Sequence, residues 1–291
     1  MDSLYPVWAM APPIGLHQRS SGILLHPTSL PGSFGCGDLG GGAHLFLDFL
    51  HAAGQRWWQM LPVAPVGYGN SPYSALSAFA GNPLLIGLDA LVAAGWLEEV
   101  PRPRLPSDRV DYGRTRIFRE AQLLRAFERF GRSGRAARAR FRRFCEAHAG
   151  WLEDWVLFRA IKRAHGERAW FEWEPALRDR EPGALARAAR AMRAELEFHR
   201  FEQWLFEEQW QALRERAAAL GVGLIGDLPI FVAHDSADVW ANRELFFLDR
   251  EGMPTVIAGV PPDYFSATGQ RWGNPLYRWA RIRRTGWAWW I

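Results

Sequence analysis

Lysine is almost missing from this chain. Lys162 is the only one among 35 basic residues, so nearly all the positive charge is arginine, and 31 acidic residues almost offset it. A net charge of +4 and a pI of about 9.4 would otherwise invite a nucleic-acid reading. Arginine spread over the whole length points instead to a compositional bias, and the run from Arg132 to Arg143 reads as a solvated helix face. No nucleic acid and no membrane is expected as a partner. Cysteine is nearly as scarce. Cys36 and Cys145 cannot make a framework of bridges, and reduced thiols are expected. No window approaches the roughly 18 uninterrupted apolar residues of a membrane span. Residues 1–15 lack a basic start followed by an apolar run, so the expected location is the cytoplasm.

Several chemistries are excluded by what their motifs would need. The two cysteines have no zinc spacing, and the eight histidines form no H-E-x-x-H pair. The glycine-rich stretch 35–40 has no Lys-Ser/Thr after it, which argues against a phosphate loop. No serine or cysteine sits in a nucleophile elbow, so His26 and His234 are expected to be hydrogen-bonded structural histidines. No cofactor and no metal is suggested.

What is abundant is apolar and aromatic. The chain has 291 residues, 48% of them hydrophobic and 23% charged, which suits a globular protein with a large core and excludes disorder as its main state. Sixteen tryptophans serve either core packing or flat, weakly polar ligands such as sugar rings. For any single tryptophan, core packing is the default.

Three stretches read as buried parallel strands: Gly22-Ile23-Leu24-Leu25, residues 56–63 and residues 222–227. Between the first two, residues 43–53 carry an apolar stripe of helical period (Leu45, Phe46, Phe49, Leu50) that stops at Gly54, a C-terminal cap. That is a β-α-β unit, the building block of a doubly wound sheet or a (β/α)8 barrel. Residues 112–221 read as almost wholly helical, with stops at Gly131, Gly166 and Gly221 and a start at Pro182. This block is too long for one crossover. The expected organisation is an α/β unit from 20–70 and 200–291, an inserted helical subdomain at 71–199 and an N-terminal extension at 1–19. A possible extra hairpin lies around Phe246 and Val256. A closed barrel needs eight strands, and the chain ends in a run of tryptophans, so it is expected to be the front part of a longer protein.

The residues most able to carry chemistry lie after those strands. Asp227 follows the third one, where α/β sheets collect active groups. The stretch 259–275, without helical or strand period, gathers Asp263, Tyr264, Gln270, Trp272 and Asn274 with glycine and proline. Rings that stack on sugar faces, beside amides and a carboxylate that satisfy hydroxyls, suit a lid over a hydroxyl-rich ligand; an ordinary ordered loop fits the composition equally well. Tyr68, Ser71 and Tyr73 form a second candidate after the second strand. From the residues alone, Asp227 and Asp263 would be nominated as a catalytic pair.

Four motifs, in order along the chain, resemble the 4-alpha-glucanotransferases of glycoside hydrolase family 77. They are Gly22-Ile23-Leu24-Leu25-His26-Pro27-Thr28-Ser29-Leu30-Pro31-Gly32; Ser71-Pro72-Tyr73-Ser74 with Ser77-Ala78-Phe79-Ala80-Gly81-Asn82-Pro83; Gly226-Asp227-Leu228-Pro229-Ile230-Phe231-Val232-Ala233; and the loop 259–275. The resemblance implies that the unit at 20–70 and 200–291 is a partial (β/α)8 TIM barrel of glycosidase type, in the α/β class, with an inserted helical subdomain. It also implies transfer of α-1,4-glucan segments between maltooligosaccharides, amylose or glycogen-type chains by a retaining double displacement. Carried over residue by residue, Ser71 and Tyr73 would contact the donor and Asp227 would line the pocket floor. Tyr264 would belong to the lid; Gln270, Trp272 and Asn274 would contact sugars; Tyr68 would belong to an additional glucan surface, and Asp263 is kept as a substrate-binding candidate from the composition of the loop. The family's nucleophilic Asp sits in an Arg-Ile-Asp-His-type motif, and its acid/base Glu and a third Asp lie further on. None of those motifs is present, so the resemblance assigns no catalytic residue here and implies an inactive fragment; the alternative is a non-catalytic glucan-binding fragment.

Overall fold

A computed structural model describes residues 18–106 and 108–291. The elements, in chain order, are β1 (Gly22–Leu24), α1 (Gly41–Ala52), β2 (Trp57–Gln59), α2 (Leu88–Ala93), α3 (Tyr112–Phe130), α4 (Arg135–Ala147), α5 (Ala149–Ala164), α6 (Pro175–Arg178), α7 (Pro182–Ala191), α8 (Arg193–Ala219), β3 (Gly223–Ile225), α9 (Ala237–Ala241), β4 (Ile257–Val260), β5 (Gln270–Pro275) and α10 (Trp279–Arg284). The expected extension at 1–19 falls almost entirely outside the described residues. The chain divides into two compact units. One takes the residues up to Val63, Gly81–Ala137 and Glu202–Asp227; the other takes Ala64–Ala80, Arg138–Phe201 and Leu228–Ile291.

The first unit is built on a parallel sheet of order β1-β2-β3, with Ile23 opposite Trp58 and Trp58 opposite Leu224. This is the α/β architecture expected from the three strand signals. Helix α1 buries Ala43, Leu47 and Leu50 at helical spacing. It stops because Gly54, just beyond its cap, turns at φ 68°, a left-handed conformation that costs glycine little. Trp58 is fully buried. Its indole N–H donates to the Leu25 carbonyl at 2.8 Å, and Phe46 of α1 meets it edge-on at 5.0 Å. Full burial of such a ring contributes roughly 1.5–3 kcal/mol. Two expectations are corrected. The strands are three residues long, a length set by which backbone groups find partners across the sheet. Nor are they covered on both faces: Leu24 is 55% exposed and β3 is only partly buried. Both are edge strands, and β2 alone has a neighbour on each side.

In the second unit the core is aromatic. Phe158 of α5, Trp173 and Trp240 of α9 lie 5.5–6.0 Å apart, and the Arg180 guanidinium stacks 4.2 Å over Trp240. Helix α5 buries Leu152, Trp155, Val156, Phe158 and Ile161 and ends before Gly166, the expected stop, at φ 63°. The stretch 182–221, read as one helical segment, is two helices: Met192, at φ −106° and ψ 25°, separates α7 from α8. Periodicity alone cannot register a single non-helical residue. The hairpin expected around Phe246 and Val256 is a short antiparallel turn, in which Leu248 bridges Pro254, the Asp249 N–H donates to the Met253 carbonyl at 2.8 Å and the Thr255 N–H to the Phe247 carbonyl at 2.9 Å. A second hairpin is β4-β5, antiparallel, with Val260 opposite Gln270 and an irregularity between Ile257 and Gly259. That overturns the reading of 259–275 as periodless loop. Its pairing is carried by backbone, while β5 exposes four successive residues and shows no alternation.

Candidate functional site

The loop after β2 belongs to the second unit and is folded back on itself. Val66 bridges Ala75, and the Gly67 N–H donates to the Ser74 carbonyl at 2.9 Å. The turn between them places Gly69 at φ 74° and Asn70 at φ 54°. Ser71 is exposed, and its Oγ accepts from the Tyr73 N–H at 3.3 Å; Tyr73 is 48% exposed. The two predicted donor contacts therefore share one tight turn. The Tyr68 side chain lies outside the described set.

The returning limb of this loop is anchored on α9. Ser77 Oγ accepts from the Phe79 and Ala80 N–H groups, and the Leu76 carbonyl accepts from the Ala237 N–H at 2.8 Å. Asp238 Oδ2 accepts from the Ala78 N–H at 2.9 Å. Asp238 is 4% exposed, and burial pushes its carboxyl up to about 7 against the hydrogen bond from Ala78. Phe79 packs on Trp151 and, edge-on, on Trp289.

At the tip of the β4-β5 hairpin, Asp263 Oδ1 accepts from the N–H groups of Phe265 at 2.9 Å and Ser266 at 2.8 Å. Its carboxylate thus shapes the turn. Gly269 closes the tip at φ 72°; a Cβ there would sit 2.6 Å from the Val260 carbonyl oxygen. Tyr264 is 98% and Phe265 88% exposed. Trp272 is half exposed, donates from its indole N–H to Gln270 Oε1 at 3.1 Å and packs 6.4 Å from Phe231. Asn274 Nδ2 donates to the Val232 carbonyl at 2.8 Å, so one amide hydrogen is committed to the segment after β3.

That segment is held by Lys162 and Asp235, which sequence reasoning missed, and by His234, which it expected to be structural. Lys162 Nζ donates to Asp235 Oδ2 at 2.5 Å and to the carbonyls of Glu167 and Arg168 at 3.1 Å. Asp235 Oδ1 also accepts from the Trp170 N–H. His234 stacks on Phe171 with ring centroids 4.4 Å apart, and its Nε2 bonds the Gly252 carbonyl at 2.7 Å; burial lowers its pKa. The structural reading of His234 is borne out. His26 behaves alike in the first unit: Nδ1 meets Thr28 Oγ1 at 2.7 Å, Nε2 meets the Pro62 carbonyl at 3.3 Å, and burial lowers its pKa. The signal for Lys162 is a lone lysine beside Trp155, Phe158 and Ile161 on an apolar helix face. For Asp238 it is the serine two residues before it, the N-cap of α9.

Asp227 belongs to the first unit. It is exposed, two residues beyond the carboxyl end of β3. A cleft of about 410 Å³ in the same unit is lined by Gln18, Arg19, Ser20, Ser21, Gly54 and Arg56. It opens where β1 and β2 begin, the end of a parallel sheet opposite to the one where active loops gather. Among the described residues no group of three or more His, Cys, Asp or Glu is placed to hold a metal ion. No helix among them is long and apolar enough to cross a membrane. Both cysteines are free.

Comparison with known proteins gives this geometry a family. The model for 4-alpha-glucanotransferase matches residues 25–291. The chain belongs to the 4-alpha-glucanotransferase family. It is 54% identical to the 4-alpha-glucanotransferase of Thermus thermophilus over 274 residues, covering 94% of this chain and 55% of that protein. It is 49% identical to that of Synechocystis over 281 residues, 95% of this chain and 56% of that one. Among solved structures it resembles the amylomaltase of Streptococcus agalactiae in complex with acarbose, with a TM-score of 0.88 and 39% identity over 94% of this chain and 56% of that chain. The chain spans about half the length of the curated relatives it matches.

Proposed function

We propose that this chain carries the donor-side loops of an enzyme that moves α-1,4-glucan segments between sugar chains with retention, within a partial (β/α)8 barrel that carries an inserted helical subdomain at 71–199. The observation that supports this most directly is the order of the family motifs along the chain: the first spans β1 and the loop after it, the second lies in the connection after β2, and the third begins directly after β3, the sequence positions from which active loops of a parallel α/β assembly come. In this reading Ser71 and Tyr73 contact the donor glucan, Asp227 is a substrate-binding residue after β3, and Tyr68 belongs to an additional glucan surface. Asp263 shapes the lid that presents Tyr264, while Gln270, Trp272 and Asn274 line the sugar path. Substrates are maltooligosaccharides, amylose or glycogen-type chains; the neighbour solved with acarbose accords with that class.

Retention requires a carboxylate that attacks the anomeric carbon and a second carboxyl that protonates the leaving oxygen. The Arg-Ile-Asp-His-type motif is absent from residues 1–291, and the chain corresponds to about half of its relatives. Both observations support catalytic carboxylates supplied outside these residues. The test uses the chain extended downstream to the relatives' length and incubated with maltotriose. Glucose and longer maltodextrins should form, and Trp272→Ala should slow their formation at least tenfold by removing a stacking face. An extended chain that forms neither overturns the transferase reading in favour of a glucan-binding fragment.

A further inference from the structure

We infer that Asp238 is a positioning residue for the loop that carries Ser71 and Tyr73, holding it closed through the Ala78 amide. The inference rests on the glucan-handling reading of that loop and adds to it a residue outside the family motifs. Two adjacent hydrogen bonds tie the loop to α9: the Ala237 N–H donates to the Leu76 carbonyl, and the Ala78 N–H to Asp238 Oδ2. The second depends on a side chain. Ser236 caps α9 by accepting from the Val239 N–H, which fixes Asp238 in the first helical turn with its carboxyl against the loop.

The surroundings of Asp238 offer it no positive charge among the interactions that bear on it. From α5 the ionisable neighbour is Asp154, which opposes ionisation and is itself paired with Arg180. From the segment before α10 it is Tyr277, a buried phenol whose pKa is also raised. From the turn Arg243–Leu245, Arg243 is committed to Asp179 and Glu244 is exposed. A carboxylate sealed in this site is unfavourable, and the simplest relief is for the loop to lift and admit water. Closed, the carboxyl titrates at about 7; opened and hydrated, it returns towards its ordinary 3.8. Because the closed-state value is the raised one, closure is fully supported below pH about 4 and weakens as pH rises through about 7.

The experiment is amide hydrogen exchange on this chain at pH 5 and pH 8, expressed as protection factors so that intrinsic exchange cancels. In the wild type, protection at Ala78 and neighbouring loop amides should fall roughly tenfold to a hundredfold from pH 5 to pH 8, while α5 amides change little. Asp238→Asn keeps an acceptor oxygen for Ala78 and cannot ionise. Its loop should be equally protected at both pH values and better protected than the wild type at pH 8. The same pH response in the wild-type and D238N loops would overturn the inference. So would a uniform change over the whole second unit, which would mark a merely structural carboxyl. A second arm measures KM for maltotriose in the downstream-extended chain. A wild-type KM that rises from pH 6 to pH 8, abolished by D238N, supports positioning for glucan; no difference between the two proteins contradicts it. Since exchange needs no sugar, an extended chain that ignores maltotriose sinks the proposed function while exchange still decides the role of Asp238.

Discussion

Replacing Lys162 by methionine removes the only lysine and keeps nearly its volume, so the perturbation is electrostatic. Lys162 is 5% exposed and its partner Asp235 32% exposed. The ammonium also satisfies the carbonyls of Glu167 and Arg168. Breaking a buried pair by removing one partner typically costs about 3–5 kcal/mol, chiefly because the remaining charge is stranded. Asp235 keeps some contact with water and a hydrogen bond from Trp170, which places the expected loss at the lower end, about 3 kcal/mol. For a unit of this size that corresponds to a fall in Tm of roughly 6–12 °C. Urea unfolding followed by tryptophan fluorescence measures it, since Trp155, Trp170, Trp173 and Trp240 are all buried in the second unit. Removing both charges in Lys162→Met with Asp235→Asn should recover part of the loss, as the stranded carboxylate disappears. A single-variant loss below about 1 kcal/mol, or a double variant no better than the single, would refute this account of the segment after β3.

Two further outcomes follow from the first unit. Arg119 is 1% exposed and donates to the carbonyls of Phe34, Ile86 and Cys36 as well as to Asp38 at 2.7 Å; Arg119→Met should cost about 3–5 kcal/mol in urea unfolding, and Arg119→Lys should not restore it, because an ammonium cannot reproduce the planar fork. A Cβ at Gly37 would sit 2.2 Å from the Pro27 carbonyl oxygen, whereas one at Gly41 meets nothing within 4 Å; Gly37→Ala should destabilise by about 1–3 kcal/mol and Gly41→Ala should be close to neutral by the same assay.

What the sequence made legible was largely what local rules encode. Helix α1, its stop at Gly54 and the three strand signals depend on neighbours a few residues apart, and the structure returns them; the stripe read in α1 is corrected, because Leu45 and Phe49 are 69% and 55% exposed and the buried face is Ala43, Leu47 and Leu50. The lengths of those strands were not legible, because they depend on which carbonyls find partners across the sheet. The β4-β5 hairpin was missed for a related reason: its strands are rich in glycine and exposed side chains, and its pairing lives in the backbone. The polar anchors were missed because their partners are distant in sequence. Lys162 meets Asp235 across 73 positions, and Asp238 meets Ala78 across 160. Asp263 was read as a catalytic candidate from its residue type; the structure shows its carboxylate capping a turn. Asn274 was read as a sugar contact, and the structure adds a hydrogen bond to Val232 that composition could not reveal.

The measurement that bears most directly on the central claim is the product profile of residues 1–291 alone with maltotriose. The account predicts unchanged maltotriose after prolonged incubation, because in the proposed reading these residues contribute glucan-binding loops and the cleaving carboxylates come from outside them. Glucose appearing together with maltodextrins longer than the substrate would contradict it, and would return Asp227 and Asp263 to the position of catalytic candidates.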